Sequence, residues 1–173
     1  MKVLFNEIPE AGLELEVHDH SWFPDDDCIC LGQPTVKIFL AKKNLNRVLL
    51  QGLIVAKCQV NCDRCLEPFE LPLTINFNLY LECLPDDDPY WQQEDHVCAK
   101  SEMEVIYLRE PVIDLFSILR QQVLLAIPVK KLCKAECLGI CPQCGADLNK
   151  SPCACAAGNQ TSPFKVLGKL KNR

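Results

Sequence analysis

Residues 70–84, ELPLTINFNLYLECL, put Leu71, Leu73, Ile75, Phe77, Leu79 and Leu81 on one side of an extended chain. Pro72, Thr74, Asn76, Asn78, Tyr80 and Glu82 fall on the other side. A repeat of two residues matches the pleat of a strand and no helix, and its two unlike faces predict a half-buried antiparallel strand. Such a strand needs neighbours. TVKIFLAKKN and RVLLQGLIVAKCQV, both rich in β-branched and apolar residues, precede it, with KKNLN between them as a hairpin turn. MKVLFNEIP and LELEVHD each have the form of a short strand near the start, and WFPDDDCICLGQP reads as a Pro- and Gly-broken loop.

After the polar stretch 85–101 and a short strand MEVIYL, the period changes. Val112, Leu115, Phe116, Leu119, Val123 and Ala126 recur at helical spacing, Pro111 opens the pattern and Pro128 closes it. Asp114 falls in the first turn, where the helix dipole favours a negative charge. The fold class expected is therefore α+β. Residues 1–130 form a β-rich core domain, an antiparallel sheet or partly closed barrel, with one main helix over 112–127. Residues 131–173 form a cysteine-rich, basic segment with a zinc knuckle and a short terminal helix.

That segment carries CLGICPQCGADLNKSPCAC, and the chain has 13 cysteines in 173 residues. An odd number fits a fully paired disulfide framework poorly. No basic start followed by an apolar run and a cleavage site is seen, and runs such as VLLAIPV are too short to span a bilayer. A cytoplasmic location with reduced thiols is expected, where clustered cysteines more often bind metal than pair.

CPQCG at 141–145 has the form of a zinc knuckle: a two-residue gap lets both thiolates reach one tetrahedral ion, and the glycine relieves the turn. Cys153 and Cys155 complete the preferred ligand set Cys141, Cys144, Cys153 and Cys155, with Cys137 or Cys133 as substitutes, and about one structural zinc per chain is expected. The second two-residue pair, CDRC at 62–65, leaves three readings open: a redox pair, a share in the same zinc site, or two small buried side chains. Cys28, Cys30, Cys58, Cys83 and Cys98 read as buried or incidental. The aspartate runs 25–27 and 86–88 lack the spacing and glycine of a calcium loop, and His18, His20 and His96 read as exposed. No nucleophile elbow or phosphate loop is found, and no small-molecule substrate is evident.

Charge is uneven. Residues 1–128 hold 10 basic against 21 acidic side chains, a net of −11, whereas 129–173 hold 8 against 2, a net of +6. Such asymmetry marks either a basic segment that meets an anionic partner or one that docks on its own acidic body.

Four blocks in order, CDRCLEPFE, VIDLFSILRQQVLLAIPVKKLC, CLGICPQCGADLNKSPCAC and SPFKVLGKL, make residues from about 55 to the end resemble the YceD family. These are the large-ribosomal-RNA-subunit accumulation proteins of bacteria and plastids. The resemblance implies a cytoplasmic factor for accumulation or processing of large-subunit (23S-type) ribosomal RNA, with no established enzymatic activity. It carries the family's cysteine-rich segment onto Cys133, Cys137, Cys141, Cys144, Cys153 and Cys155, and its front pair onto Cys62 and Cys65. Some members lack the rear cysteines, which makes metal look like a structural option in the family and not the carrier of its function. The closing block reads as a helix started by Ser162 and Pro163, with an apolar stripe of Phe164, Leu167 and Leu170. Its Lys165, Lys169, Lys171 and Arg173 are the expected contacts to ribosomal RNA or to a ribosomal protein bound to it. The alternative is a cysteine-based redox or zinc-dependent enzyme.

Overall fold

The computed structural model describes residues 1–24, 28–92 and 104–155. These divide into two compact units: one of Met1–Val60 and Pro68–Lys131, the other of Asn61–Glu67 with the described part of the segment that begins at Leu132.

The first unit is built on the expected hairpin. Strands β4 (Thr35–Lys42) and β5 (Arg47–Asn61) pair antiparallel, setting Val36 opposite Ile54, Ile38 opposite Gly52 and Leu40 opposite Leu50. Strand β2 (Leu13–Val17) joins the outer edge of β4 and adds Leu13, Leu15 and Val17 to the same face. Strand β6 (Pro68–Cys83) follows β5 on its other side. Gln51 bonds Asn78 and Cys58 bonds the Leu71 carbonyl, so the two strands run in opposite senses. Because side chains alternate, this register stacks the leucine row of β6 beside the even-numbered residues of β4 and β5. Leu73, Phe77 and Leu81 are buried as expected, and Thr74, Asn76 and Asn78 face water.

Gly52 sits in the middle of β5 because the Phe77 ring lies across it; a Cβ there would come 2.1 Å from Phe77 Cζ. A strand-interior glycine of this kind marks a close approach. The other face of the sheet is polar, with Lys57–Glu70 at 3.9 Å and Lys37–Glu16 at 3.8 Å. Exposed pairs like these contribute ~0.2–1 kcal/mol each, so burial of the inner face dominates.

The rest of the unit departs from the sequence reading in three places. Strand β7 (Val105–Leu108) pairs parallel to β6, Tyr80 opposite Val105, so the open sheet is mixed and does not close into a barrel. The expected loop around Trp22 holds core: Trp22 and Phe23 are buried, and β3 (Ile29–Cys30) extends the β4 edge of β5 by pairing Cys30 with Cys58. The helix α1 spans Leu115–Ala126 and not 112–127. Val112–Asp114 instead form β8, which pairs with β1 (Lys2–Leu4) at the far end of the chain. Asp114 is the N-cap, accepting from the Ser117 N–H at 3.5 Å. Leu115, Ile118, Leu119 and Val123 then turn into the core, and the helix lies against β6 and β1. Its last residue precedes Ile127, and Pro128, which lacks an N–H, follows.

Candidate metal centres

The second unit has a different interior. Among its described residues the buried ones are Cys62, Cys65, Cys137, Gly139 and Cys141, four of them cysteines and no large apolar side chain. With sulfur in place of large apolar side chains among its described residues, a piece this small fits the class of small units that are stapled by metal or disulfide.

The thiols form two groups. Cys141, Cys144, Cys153 and Cys155 bring their sulfurs within 4.8 Å of one another, and so do Cys62, Cys65, Cys133 and Cys137. The eight cysteines of these groups form no disulfide, and each group could hold a metal ion. The preferred ligand set of the sequence is thus one group intact. The two substitutes, Cys133 and Cys137, do not compete for it; they stand with the CDRC pair. Cys62 and Cys65 fall in the front group and not among the rear four sulfurs.

Local structure explains the rear group. The Cys141 N–H donates to the Ala146 carbonyl at 2.8 Å and the Gly145 N–H to the Cys141 carbonyl at 2.9 Å, closing the tight loop of the knuckle. Gly145 has φ of +73°, the left-handed region open to glycine. Ile140 and Asp147 bridge the base of this loop antiparallel. The backbone N–H groups of Cys144 and Gln143, turned toward the Cys141 sulfur, hold its pKa down to about 6. The contact with Cys144, with burial, pushes Cys155 up to about 12. In the front group burial raises the pKa of Cys62, but N–H groups of Cys133, Cys65 and Arg64 outweigh it and bring the thiol down to about 6. Burial and the neighbouring sulfurs push Cys133 up to about 12. Four sulfurs this close cannot all ionise unaided, because like charges disfavour one another. A divalent cation at their centre would let all four do so.

Residues other than the cysteines also organise the unit. Asn149 donates from Nδ2 to the Cys137 sulfur at 3.4 Å and accepts the Leu138 N–H at 2.9 Å. Asp147 fixes it in place, accepting both its backbone N–H at 2.9 Å and its amide at 2.8 Å, and these bonds hold the Asp147 carboxyl below its ordinary pKa. Arg64, inside the CDRC turn, donates to the Cys137 carbonyl at 2.8 Å while its own carbonyl accepts the Ile140 N–H at 3.1 Å. Lys150 pairs with Glu67. The sequence cue was present in hindsight: an Asx pattern, DLN at 147–149, follows the knuckle directly.

The redox reading of CDRC meets an obstacle here. Cys62 and Cys65 are 0% and 6% exposed on a turn between two strands, whereas a reactive pair is expected to be accessible and to open a helix. His18 and His20 are exposed, as expected. Lys165, Lys169, Lys171 and Arg173, with Ser162, Pro163 and the Phe164 stripe, lie outside the described residues, as do His96, Cys98 and Asp25–Asp27.

The model of the large ribosomal RNA subunit accumulation protein YceD matches residues 50–171, a span holding both cysteine groups and α1. The chain belongs to the YceD family. A relative in Arabidopsis thaliana, named large ribosomal RNA subunit accumulation protein YCED homolog 1, chloroplastic, is 25% identical over 82% of this chain and 49% of its own length. The protein of the same name in Zea mays is 30% identical over 72% of this chain and 50% of its own. An uncharacterized Mycobacterium tuberculosis protein is 30% identical over 61% of this chain and 47% of its own length. The chain thus spans about half the length of the curated relatives it matches. No solved structure matches it. Among the described residues no helix is long and apolar enough to cross a membrane.

Proposed function

We propose that this YceD-family chain is a non-enzymatic ribosome-biogenesis factor, needed in the cytoplasm for accumulation or processing of 23S-type large-subunit ribosomal RNA. The observation that carries the reading is the family match over residues 50–171, together with relatives named for accumulation of that RNA. Chemistry supports the non-enzymatic part. Zinc held by Cys141, Cys144, Cys153 and Cys155 would have all four tetrahedral positions filled by protein, leaving none for water or substrate, so its role is structural. The partner is large-subunit ribosomal RNA or a ribosomal protein bound to it, met by the basic end of the chain through Lys165, Lys169, Lys171 and Arg173. The net of +6 over residues 129–173 supports this, since phosphate contacts draw on basic side chains.

Crosslinking RNA to the protein in cells and sequencing it tests the reading. Large-subunit ribosomal RNA or its precursors should be enriched over small-subunit RNA. Changing Lys165, Lys169 and Lys171 together to Glu should cut the recovery roughly tenfold at unchanged protein abundance, because three phosphate contacts turn repulsive. Equal recovery of both subunit RNAs would count against the function; enrichment that survives the charge reversal would move the contact elsewhere on the chain.

A further inference from the structure

The CDRC turn is a structural copy of the rear knuckle. The Cys62 N–H donates to the Glu67 carbonyl at 3.0 Å, as the Cys141 N–H does to Ala146 five residues on at 2.8 Å. The Leu66 N–H donates to the Cys62 carbonyl at 2.9 Å, as the Gly145 N–H does to Cys141, also at 2.9 Å. The residue after the second cysteine takes positive φ in both: +73° at Gly145 and +62° at Leu66. Leu66 is the one non-glycine residue among those described with such a φ, and its side chain is 62% exposed, so no packing of that side chain accounts for the conformation. The loop geometry accounts for it. A side chain resists this region, and a chain keeps it there only where the surroundings over-determine it.

Sulfur spacing gives an independent reason. Cys62 and Cys137 stand 3.8 Å apart and Cys65 and Cys133 3.7 Å apart. Two sulfurs on a tetrahedral ion with Zn–S bonds near 2.3 Å are about 3.8 Å apart, the edge of that tetrahedron. A disulfide would place them at about 2.05 Å, and unliganded thiols have no reason to gather four within 4.8 Å of one another. A donor is also set for a thiolate: the Asn149 amide meets the Cys137 sulfur at 3.4 Å. Hydrogen bonds of this kind orient metal ligands.

We infer that Cys62, Cys65, Cys133 and Cys137 form a second, separately filled tetrathiolate zinc site, built on a knuckle in which Leu66 stands where the rear knuckle has glycine. Binding converts four thiols to thiolates and releases their protons, leaving a closed four-sulfur shell. The ion joins the turn 61–67 to residues 133–137, two stretches far apart in the chain, and so holds together a unit whose buried side chains, among the described residues, are sulfurs. The two ions are independent because no cysteine belongs to both groups.

The test is metal content of the full chain purified without chelators. Native mass spectrometry of the unaltered protein should show a mass increment of two zinc ions, and elemental analysis should agree. Replacing Cys133 and Cys137 with Ser should lower the content to one, and replacing Cys153 and Cys155 with Ser should do the same by emptying the other site. Cobalt exchanged into each double variant should give the visible spectrum of a tetrahedral all-sulfur site at roughly half the wild-type intensity. One zinc in the wild type, retained when Cys133 and Cys137 are replaced, would overturn the inference while leaving the rear site standing. One zinc retained only when Cys153 and Cys155 are replaced would overturn the rear site instead. Should a double variant fail to fold, the wild-type count alone decides: two ions support two separately filled sites, one or none overturns that pairing, and iron in place of zinc overturns the choice of ion.

Discussion

Replacing Phe77 with Asp is expected to unfold the first unit, while Asn78→Asp, one residue on, leaves it folded. Phe77 is 8% exposed on the inner face of β6, with its ring across Gly52. Truncating a buried phenylalanine removes about 3–5 kcal/mol, because neighbours collapse only partly into the space. A carboxylate placed there without a partner adds several kcal/mol more, or must take up a proton to avoid it. Against a total stability of roughly 5–15 kcal/mol the two together leave little or nothing. Asn78 points the other way, exposed, and accepts the Gln51 amide at 2.9 Å. An aspartate oxygen can accept the same bond, so the change should fall within about 1 kcal/mol. Thermal melts followed by circular dichroism separate the two; equal damage at both positions would mean the sheet is buried on both faces.

The second large effect is expected from removing metal. In the second unit hydrogen bonds such as Ile140 N–H to the Arg64 carbonyl and Leu148 N–H to the Gly139 carbonyl close loops where no large apolar side chain is buried among the described residues. Where a site exists only in the folded state, binding free energy is folding free energy. A chelator that strips the ions should therefore speed amide exchange at Leu66, Ile140, Gly145 and Leu148 by about 100-fold or more, the linkage expected for an ion present at 100 times its Kd. Amides of Leu40, Leu50 and Ile54, in the sheet, should keep their protection. Unchanged protection at the four loop amides in metal-free protein would show that the unit stands without ions.

How far the sequence could be read follows from the range of each interaction. The leucine row of β6 and the β4–β5 turn are local patterns, and they were legible. The start of α1 was not, because Val112 and Ile113 suit a helix and a strand equally, and the choice was made by β1, a hundred residues away. The parallel pairing of β7 also rests on a partner that local pattern does not name. The cysteines divide the same way. Each two-residue gap announced a knuckle, but Cys137 lies 75 residues from Cys62 and nothing in spacing joins them. Leu66 concealed the likeness further, since the pattern C-x-x-C-G that marks the rear knuckle is broken there.

A role in accumulating large-subunit ribosomal RNA can be read in cells from which the protein has been removed, as the ratio of mature large-subunit to small-subunit ribosomal RNA. That ratio should fall, with large-subunit precursors accumulating or decaying, and the unaltered chain should restore it. An unchanged ratio and an unchanged precursor pattern, with the protein verified absent, would contradict that role.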